Sequence, residues 1–199
     1  MIAKGGRGFV IASSLVAIVA IPFSLYAAVA LACLSMFFVF VFRDPSRPIG
    51  EGIVAPADGI VREVDHERGL VSTYLALRNV HVTRAPIEGI VERKTRWHGK
   101  HAPAFSRKTV HNERLELRLK TSAGNISIVQ MTGAIARRIV PYVSEGQVLG
   151  KGQKLGLIRF GSRVDLFMPP ASVKIVVAKG DRLRAGVTRI AEVSLGRLE

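Results

Sequence analysis

Hydrophobic and polar positions divide the chain into two regimes. From Gly8 to Phe42 there is no charged residue, and Ala, Val, Leu, Ile and Phe dominate the run. After it, "FRDPSRPIGEG" (42–52) forms a joint rich in Pro and Gly, where an extended apolar element cannot continue. Beyond the joint the apolar residues come in short alternating or continuous groups. "IVAPADGIVREV", "GLVSTYLAL", "LELRLKT", "NISIVQMTG" and "VKIVVAKG" are each bounded by Gly, Asp, Asn or Pro, the signature of short strands. Only "GAIARRIVPYV" has room for a short helix, and Pro141 limits it. The pattern predicts a mainly β domain, barrel-like or sandwich-like, behind an N-terminal hydrophobic helical membrane segment.

The length of the apolar run sets its form. Thirty-five residues of helix would reach about 52 Å at 1.5 Å per residue, whereas a hydrocarbon core is ~30 Å thick and is crossed by about 20 residues. Pro22 stands where such a run could fold back. Lys4 and Arg7 precede the run and Arg43 and Arg47 follow it, which favours a helical hairpin with both ends cytoplasmic over the alternative of a single tilted span. The expected division is an anchor over residues 1–42 and a folded domain over 43–199. The single cysteine, Cys33, excludes an intrachain disulfide and is expected to pack as a small hydrophobe.

Charge adds a partner class. The chain carries 29 basic and 15 acidic residues, a formal +14. Such an excess suits nucleic acid or an anionic membrane surface, and the apolar run decides for the membrane and against nucleic acid. Two segments, "SEGQVLGKGQKLGLI" and "AKGDRLRAGVTRIAEV", share a spacing of glycines and apolar residues. Paired turns of this kind occur in the barrel-sandwich carrier domains that hold biotin or lipoate.

Individually, the candidate reactive residues have ordinary structural readings. His98 and His101 lie three apart in a Gly- and Lys-rich stretch, and His66 and His111 stand alone, so surface histidines account for them better than a metal site. Asp58 in "PADG" is good turn chemistry. His81 in "NVHVTRAP" can be a satisfied core imidazole, and Ser162 after Gly161 can be a turn serine.

Taken together, "PADG", "NVHVTRAPIEG", "HNER" and "FGSRVDLFMP", in this order behind an apolar segment, resemble the short form of the phosphatidylserine decarboxylase proenzymes. The resemblance covers nearly all of residues 43–199. It implies a pyruvoyl-dependent enzyme that makes its own cofactor. The Ser162 hydroxyl would attack the Gly161 carbonyl, and the chain would part into 1–161 and 162–199 with a pyruvoyl group left from Ser162. The two chains would remain a heterodimer, open to further oligomerisation. The new ketone would form a Schiff base with phosphatidylserine and act as an electron sink for decarboxylation to phosphatidylethanolamine, at the cytoplasmic side of the cell membrane. His81 is then the candidate base and proton donor, with Asp58 to orient it. Longer members have a second histidine where this chain has Arg84, and commonly Asp where it has Asn79. Arg84 is thereby a candidate for holding the substrate's phosphate or carboxylate, and the base for self-cleavage stays open. "HNER" is expected to brace the site, with Glu113 and Arg114 paired locally. Two other classes are less well supported. A biotinyl- or lipoyl-like carrier needs a lysine at a hairpin tip, and Met168 is followed instead by Pro169-Pro170. A zinc peptidase needs a closer histidine pair than His98 and His101.

Overall fold

The computed structural model describes residues 1–99, 112–133, 138–159 and 162–194. They fall into two compact units, Met1–Ser46 and Arg47–Glu199.

The first unit is a helical hairpin, α1 (Arg7–Ala20) and α2 (Leu25–Val41). Pro22 lies in the turn between them, where its missing N–H breaks no helical ladder, and the Ser24 hydroxyl caps α2 by accepting from the Ala27 N–H at 3.3 Å. Small residues let the helices approach: Ser13 and Ala17 on α1 and Ala28 and Ser35 on α2 are buried. The Ser14 and Ser35 hydroxyls hydrogen-bond across the pair at 2.7 Å. The hairpin's ends are tied by the Ala3 N–H to the Phe42 carbonyl at 2.9 Å and the Asp44 N–H to the Met1 carbonyl at 2.7 Å. The arms have 14 and 17 residues, about 21 and 26 Å at helical rise. No helix among the described residues is long and apolar enough to cross a membrane. Cys33 is exposed on α2, contrary to the packed position expected of it.

The second unit is mainly β. Its strands are β1 (Ile53–Val54), β2 (Gly59–Asp65), β3 (Leu70–Leu75), β4 (Val82–Arg84), β5 (Gly89–Trp97), β6 (Arg114–Thr121), β7 (Gly124–Thr132), β8 (Ile139–Pro141), β9 (Val148–Leu149), β10 (Lys154–Ile158), β11 (Ser162–Phe167), β12 (Val173–Ile175), β13 (Arg182–Leu183) and β14 (Arg189–Val193). An eight-stranded, half-barrel sheet has the order β13-β2-β3-β11-β7-β6-β5-β9. Two three-stranded sheets, β1-β14-β12 and β4-β10-β8, complete the unit. Period-two alternation sets the faces. Leu75, Leu115, Leu117, Ile126, Ile128, Val164 and Leu166 turn inward and are fully buried, while Arg163, Asp165 and Phe167 turn outward. The segment expected to allow a short helix instead supplies β8. Its residues 134–137 lie outside the described residues.

The topology is a duplication. "APADGIV" at 55–61 and "APIEGIV" at 85–91 are copies thirty residues apart, and the two Gly-rich segments are copies thirty-four apart. In one half Arg182 and Leu183 pair with Ile60 and Gly59; in the other Val148 and Leu149 pair with Ile90 and Gly89. Gly180 and Gly186 (φ +100° and +76°) correspond to Gly146 and Gly152 (φ +78° and +76°). At these four positions the hairpins need the left-handed backbone that glycine adopts without penalty. Their N–H groups reach equivalent acceptors: Gly186 the Ala55 carbonyl and Gly152 the Ala85 carbonyl, both at 2.8 Å. Even the register shifts match, between Val61 and Glu63 on β2 and between Val91 and Arg93 on β5. The halves meet along the β11–β7 pair, and Ser162 stands at the end of that seam.

Candidate active site

Ser162 begins the central strand β11, in register with Leu75 on β3 and Thr132 on β7. All three are fully buried. A buried hydroxyl is normally hydrogen-bonded, because leaving it dry and unpaired costs about 1–3 kcal/mol. Among the described residues the Ser162 Oγ has no such partner. A hydroxyl that accepts no hydrogen bond keeps its lone pairs for chemistry.

The backbone ties His81 to the strand that leads into Ser162. From Leu75, opposite Ser162, the chain turns through Ala76–Asn79 and reaches His81 six residues on. The His81 carbonyl accepts from the Ile158 N–H at 3.1 Å. From Ile158 four residues lead back to Ser162, a reach of at most about 14 Å. Leu75, His81, Ile158 and Ser162 thus close a short ring along the chain. His81 is 1% exposed. Asn79 builds the turn: its Oδ1 accepts from the Ala76 N–H at 2.9 Å, and its own N–H donates to the Ala76 carbonyl at 2.9 Å. Gly161, the other half of the expected cleavage bond, lies outside the described residues, as do His101 and His111. Just before it, the Arg159 N–H donates to the Arg138 carbonyl at 3.2 Å. Burial, and then the neighbouring Arg138 charge, lower the pKa of the Arg159 guanidinium.

Asp58 is buried just ahead of β2, and its described partners are Arg47 and Ala185. Its Oδ1 accepts from the Arg47 Nη1 and from the Ala185 N–H (2.8 Å), and its Oδ2 from the Arg47 Nη2 at 2.8 Å. Arg47 Nη1 also donates to the Ala185 carbonyl at 3.1 Å. Sequence reasoning missed Arg47, having read it as a flanking charge of the anchor. A lone Arg within a Pro-rich joint carries no sign of a buried partner eleven residues on. Arg84 is also buried: its Nη1 donates to the Gly152 carbonyl at 3.1 Å, its N–H to the Pro56 carbonyl at 2.8 Å, and its stem packs on Gly186. Asp58 and Arg84 therefore abut the same Ala185–Gly186 turn.

The remains of "HNER" brace the β7 end of the site. Asn112 Nδ2 donates to the Thr132 carbonyl at 2.7 Å, and the Thr132 N–H donates to the Glu113 carbonyl at 3.0 Å. Glu113 is paired with Arg96 at 3.1 Å, not with Arg114, whose guanidinium lies over the Trp97 ring at 4.6 Å. Arg114 begins β6 while Glu113 precedes the strand and meets Arg96 instead, so the expected local pair does not form. His66 and His98 are exposed. Among the described residues no group of three His, Cys, Asp or Glu side chains could hold a metal ion.

Comparison with known proteins agrees with this geometry. The phosphatidylserine decarboxylase family model matches residues 34–191. A phosphatidylserine decarboxylase proenzyme of Streptomyces coelicolor is 42% identical over 167 residues, covering 82% of this chain and 76% of the relative. A protein of Halobacterium salinarum, provisionally named archaetidylserine decarboxylase proenzyme, is 44% identical over 79% of this chain and 82% of its own length. One of Methanosarcina acetivorans with the same provisional name is 38% identical over 99% of both chains.

Proposed function

We propose that this chain, which belongs to the phosphatidylserine decarboxylase family, cuts itself at Gly161–Ser162 and then converts phosphatidylserine to phosphatidylethanolamine. The observation that carries the reading is Ser162: a fully buried hydroxyl without a described partner, at the end of the seam between two half-domains. These residues suit a cofactor made from the chain itself, since the reacting atom is already inside the protein and held by strands on both sides.

In self-cleavage the Ser162 Oγ adds to the Gly161 carbonyl as its proton leaves to a base. The C–N bond breaks and the proton goes to the freed amine, so the amide becomes an ester. Loss of the Ser162 Cα proton then expels Gly161 as a carboxylate. The dehydroalanine left behind takes up water and releases ammonia, leaving a pyruvoyl group at the head of residues 162–199. Once formed at position 162, such a ketone would supply an electron sink for the pair left as carbon dioxide departs from the substrate. His81 is the proposed group to take the Ser162 proton and later to return one to the substrate carbon, because imidazole exchanges protons near neutral pH. Asp58 completes the candidate set; bonded to Arg47 and Ala185 and not to His81, it fixes the Ala185–Gly186 turn on which Arg84 packs. Arg84, buried beside the Ala185–Gly186 turn, is the proposed residue to hold an anionic group of the substrate.

The two chains would stay together as a heterodimer. The smaller chain keeps β11 between β3 and β7, β14 between β1 and β12, and β13 on β2, so its departure would dismantle the sheet. The helical hairpin would seat the enzyme in the cytoplasmic leaflet of the cell membrane. It presents Ile18, Val19, Phe23, Leu25, Tyr26 and Met36 to the surroundings, an apolar surface suited to lipid. The carrier alternative has no support from the relatives. The test is conversion of phosphatidylserine in mixed micelles by the purified chain. The wild type is expected to form phosphatidylethanolamine and Ser162→Ala none; turnover by Ser162→Ala at the wild-type rate would overturn the reading.

A further inference from the structure

The outward face of the large sheet carries two clefts of different charge. One, of about 520 Å³, is lined by Arg68, Arg114 and Arg163 together with Glu63, Glu116 and Asp165. It is balanced, and Arg163 is paired within it to Asp165 at 2.7 Å. The other, of about 610 Å³, is lined by Arg78, Arg182 and Arg184, with Asp58 as its one carboxylate. Both Asp58 oxygens are already engaged by Arg47 and the Ala185 N–H. That carboxylate is thus committed elsewhere, and the exposed Arg182 and Arg184 give the cleft its positive charge. Among the described residues neither Arg182 nor Arg184 has an ion-pair partner.

The duplication supplies an internal control. Where β13 and its turn carry Arg182 and Arg184, the equivalent β9 hairpin carries Val148 and Gly150. The hairpin folds without arginine at these places, so the fold does not require the two guanidiniums. They converge with Arg78 on a concave site that also offers Asn79 and Thr188, a volume within the range of small-ligand sites. Along the chain the cleft adjoins the strand position opposite Ser162. Leu183 pairs with Gly59, Ile60 with Tyr74, and Leu75 with Ser162, so Tyr74 and Ala76, which line the cleft on the outward face, flank Leu75, which turns inward as Ser162 does.

From this we propose that the Arg78–Arg182–Arg184 cleft binds the phosphodiester of an anionic lipid headgroup. Guanidinium forks match phosphate oxygens in pairs, and a phosphodiester keeps one negative charge throughout the physiological range. The assignment of a lipid rests on the decarboxylase reading above; the anion site itself rests on the cleft.

The experiment titrates glycerophosphoserine, a soluble headgroup that does not engage the apolar hairpin, into full-length Ser162→Ala protein by calorimetry. Because this protein neither cleaves nor turns over, loss of binding and failure of the decarboxylase reading are separate results. Binding is expected, weakening as salt rises. It should fall at least tenfold in Arg182→Gln/Arg184→Gln and be largely kept in Arg182→Lys/Arg184→Lys. Both side chains are exposed, so melting temperatures close to the parent's check that the variants fold. Equal affinity in the Gln variant would overturn the proposal. So would arginine-dependent binding of inorganic phosphate without binding of glycerophosphoserine, which would make the cleft a site for free phosphate.

Discussion

Replacing Arg47 by Ala tests whether the buried lock on Asp58 holds the second unit together. The pair is deep: the Arg47 side chain is 6% exposed and that of Asp58 11%. Removing the guanidinium takes away both of its bonds to Asp58 and one to the Ala185 carbonyl, leaving a buried carboxylate with the Ala185 N–H as its one remaining described donor. Breaking a buried ion pair from one side costs about 3–5 kcal/mol, because the remaining charge stays desolvated. For a domain of this size each kcal/mol moves the melting temperature by about 2–4 °C, so the expected fall is roughly 6–20 °C. The assay is thermal unfolding followed by circular dichroism, in Ser162→Ala background so that processing does not change the species. Arg47→Lys should fall between the two, since a lysine restores charge but not the fork. A loss under about 1 kcal/mol in Arg47→Ala, the range of an exposed pair, would refute the reasoning.

Other outcomes follow from the same geometry. His81→Ala should lose decarboxylation by about 10²–10⁴-fold, the usual worth of a positioned acid or base; a gel of the same preparation reports whether cleavage is lost with it. Gly186→Ala should destabilise by about 1–3 kcal/mol in urea unfolding, since its φ is +76° and an added Cβ would lie 2.9 Å from the Arg84 stem. Gly150→Ala, with ordinary φ and open space around it, should be close to neutral in the same assay.

Much of the β domain was legible because its strands alternate and its turns are marked by Gly, Asp and Pro. The segments read as strands became β1 and β2, β3, β6, β7 and β12. The likeness of the Gly-rich segments was visible too, but its meaning was not. "APADGIV" and "APIEGIV" are each seven residues of common turn-and-strand sequence, and only the matching of β13 on β2 with β9 on β5 makes them halves of one design. Ser162 and His81 were found as motif members. Their linkage depends on two ladder contacts far apart in the chain, which periodicity does not encode. Arg47 was missed for the same reason, as its partner is defined by tertiary packing. Glu113 shows the converse error: sequence neighbours were paired, although Glu113 precedes β6 and meets Arg96 instead. In the N-terminal run, Pro22 and the flanking charges pointed to a turn, while the arm lengths depended on where each helix stops.

The central claim is that Ser162 is consumed to make the active group. Intact mass of the purified wild-type protein tests this most directly. The account predicts two chains, 1–161 and 162–199, the smaller carrying a ketone in place of the serine amine and therefore resistant to amino-terminal sequencing. A single uncut chain that still converts phosphatidylserine to phosphatidylethanolamine would contradict it.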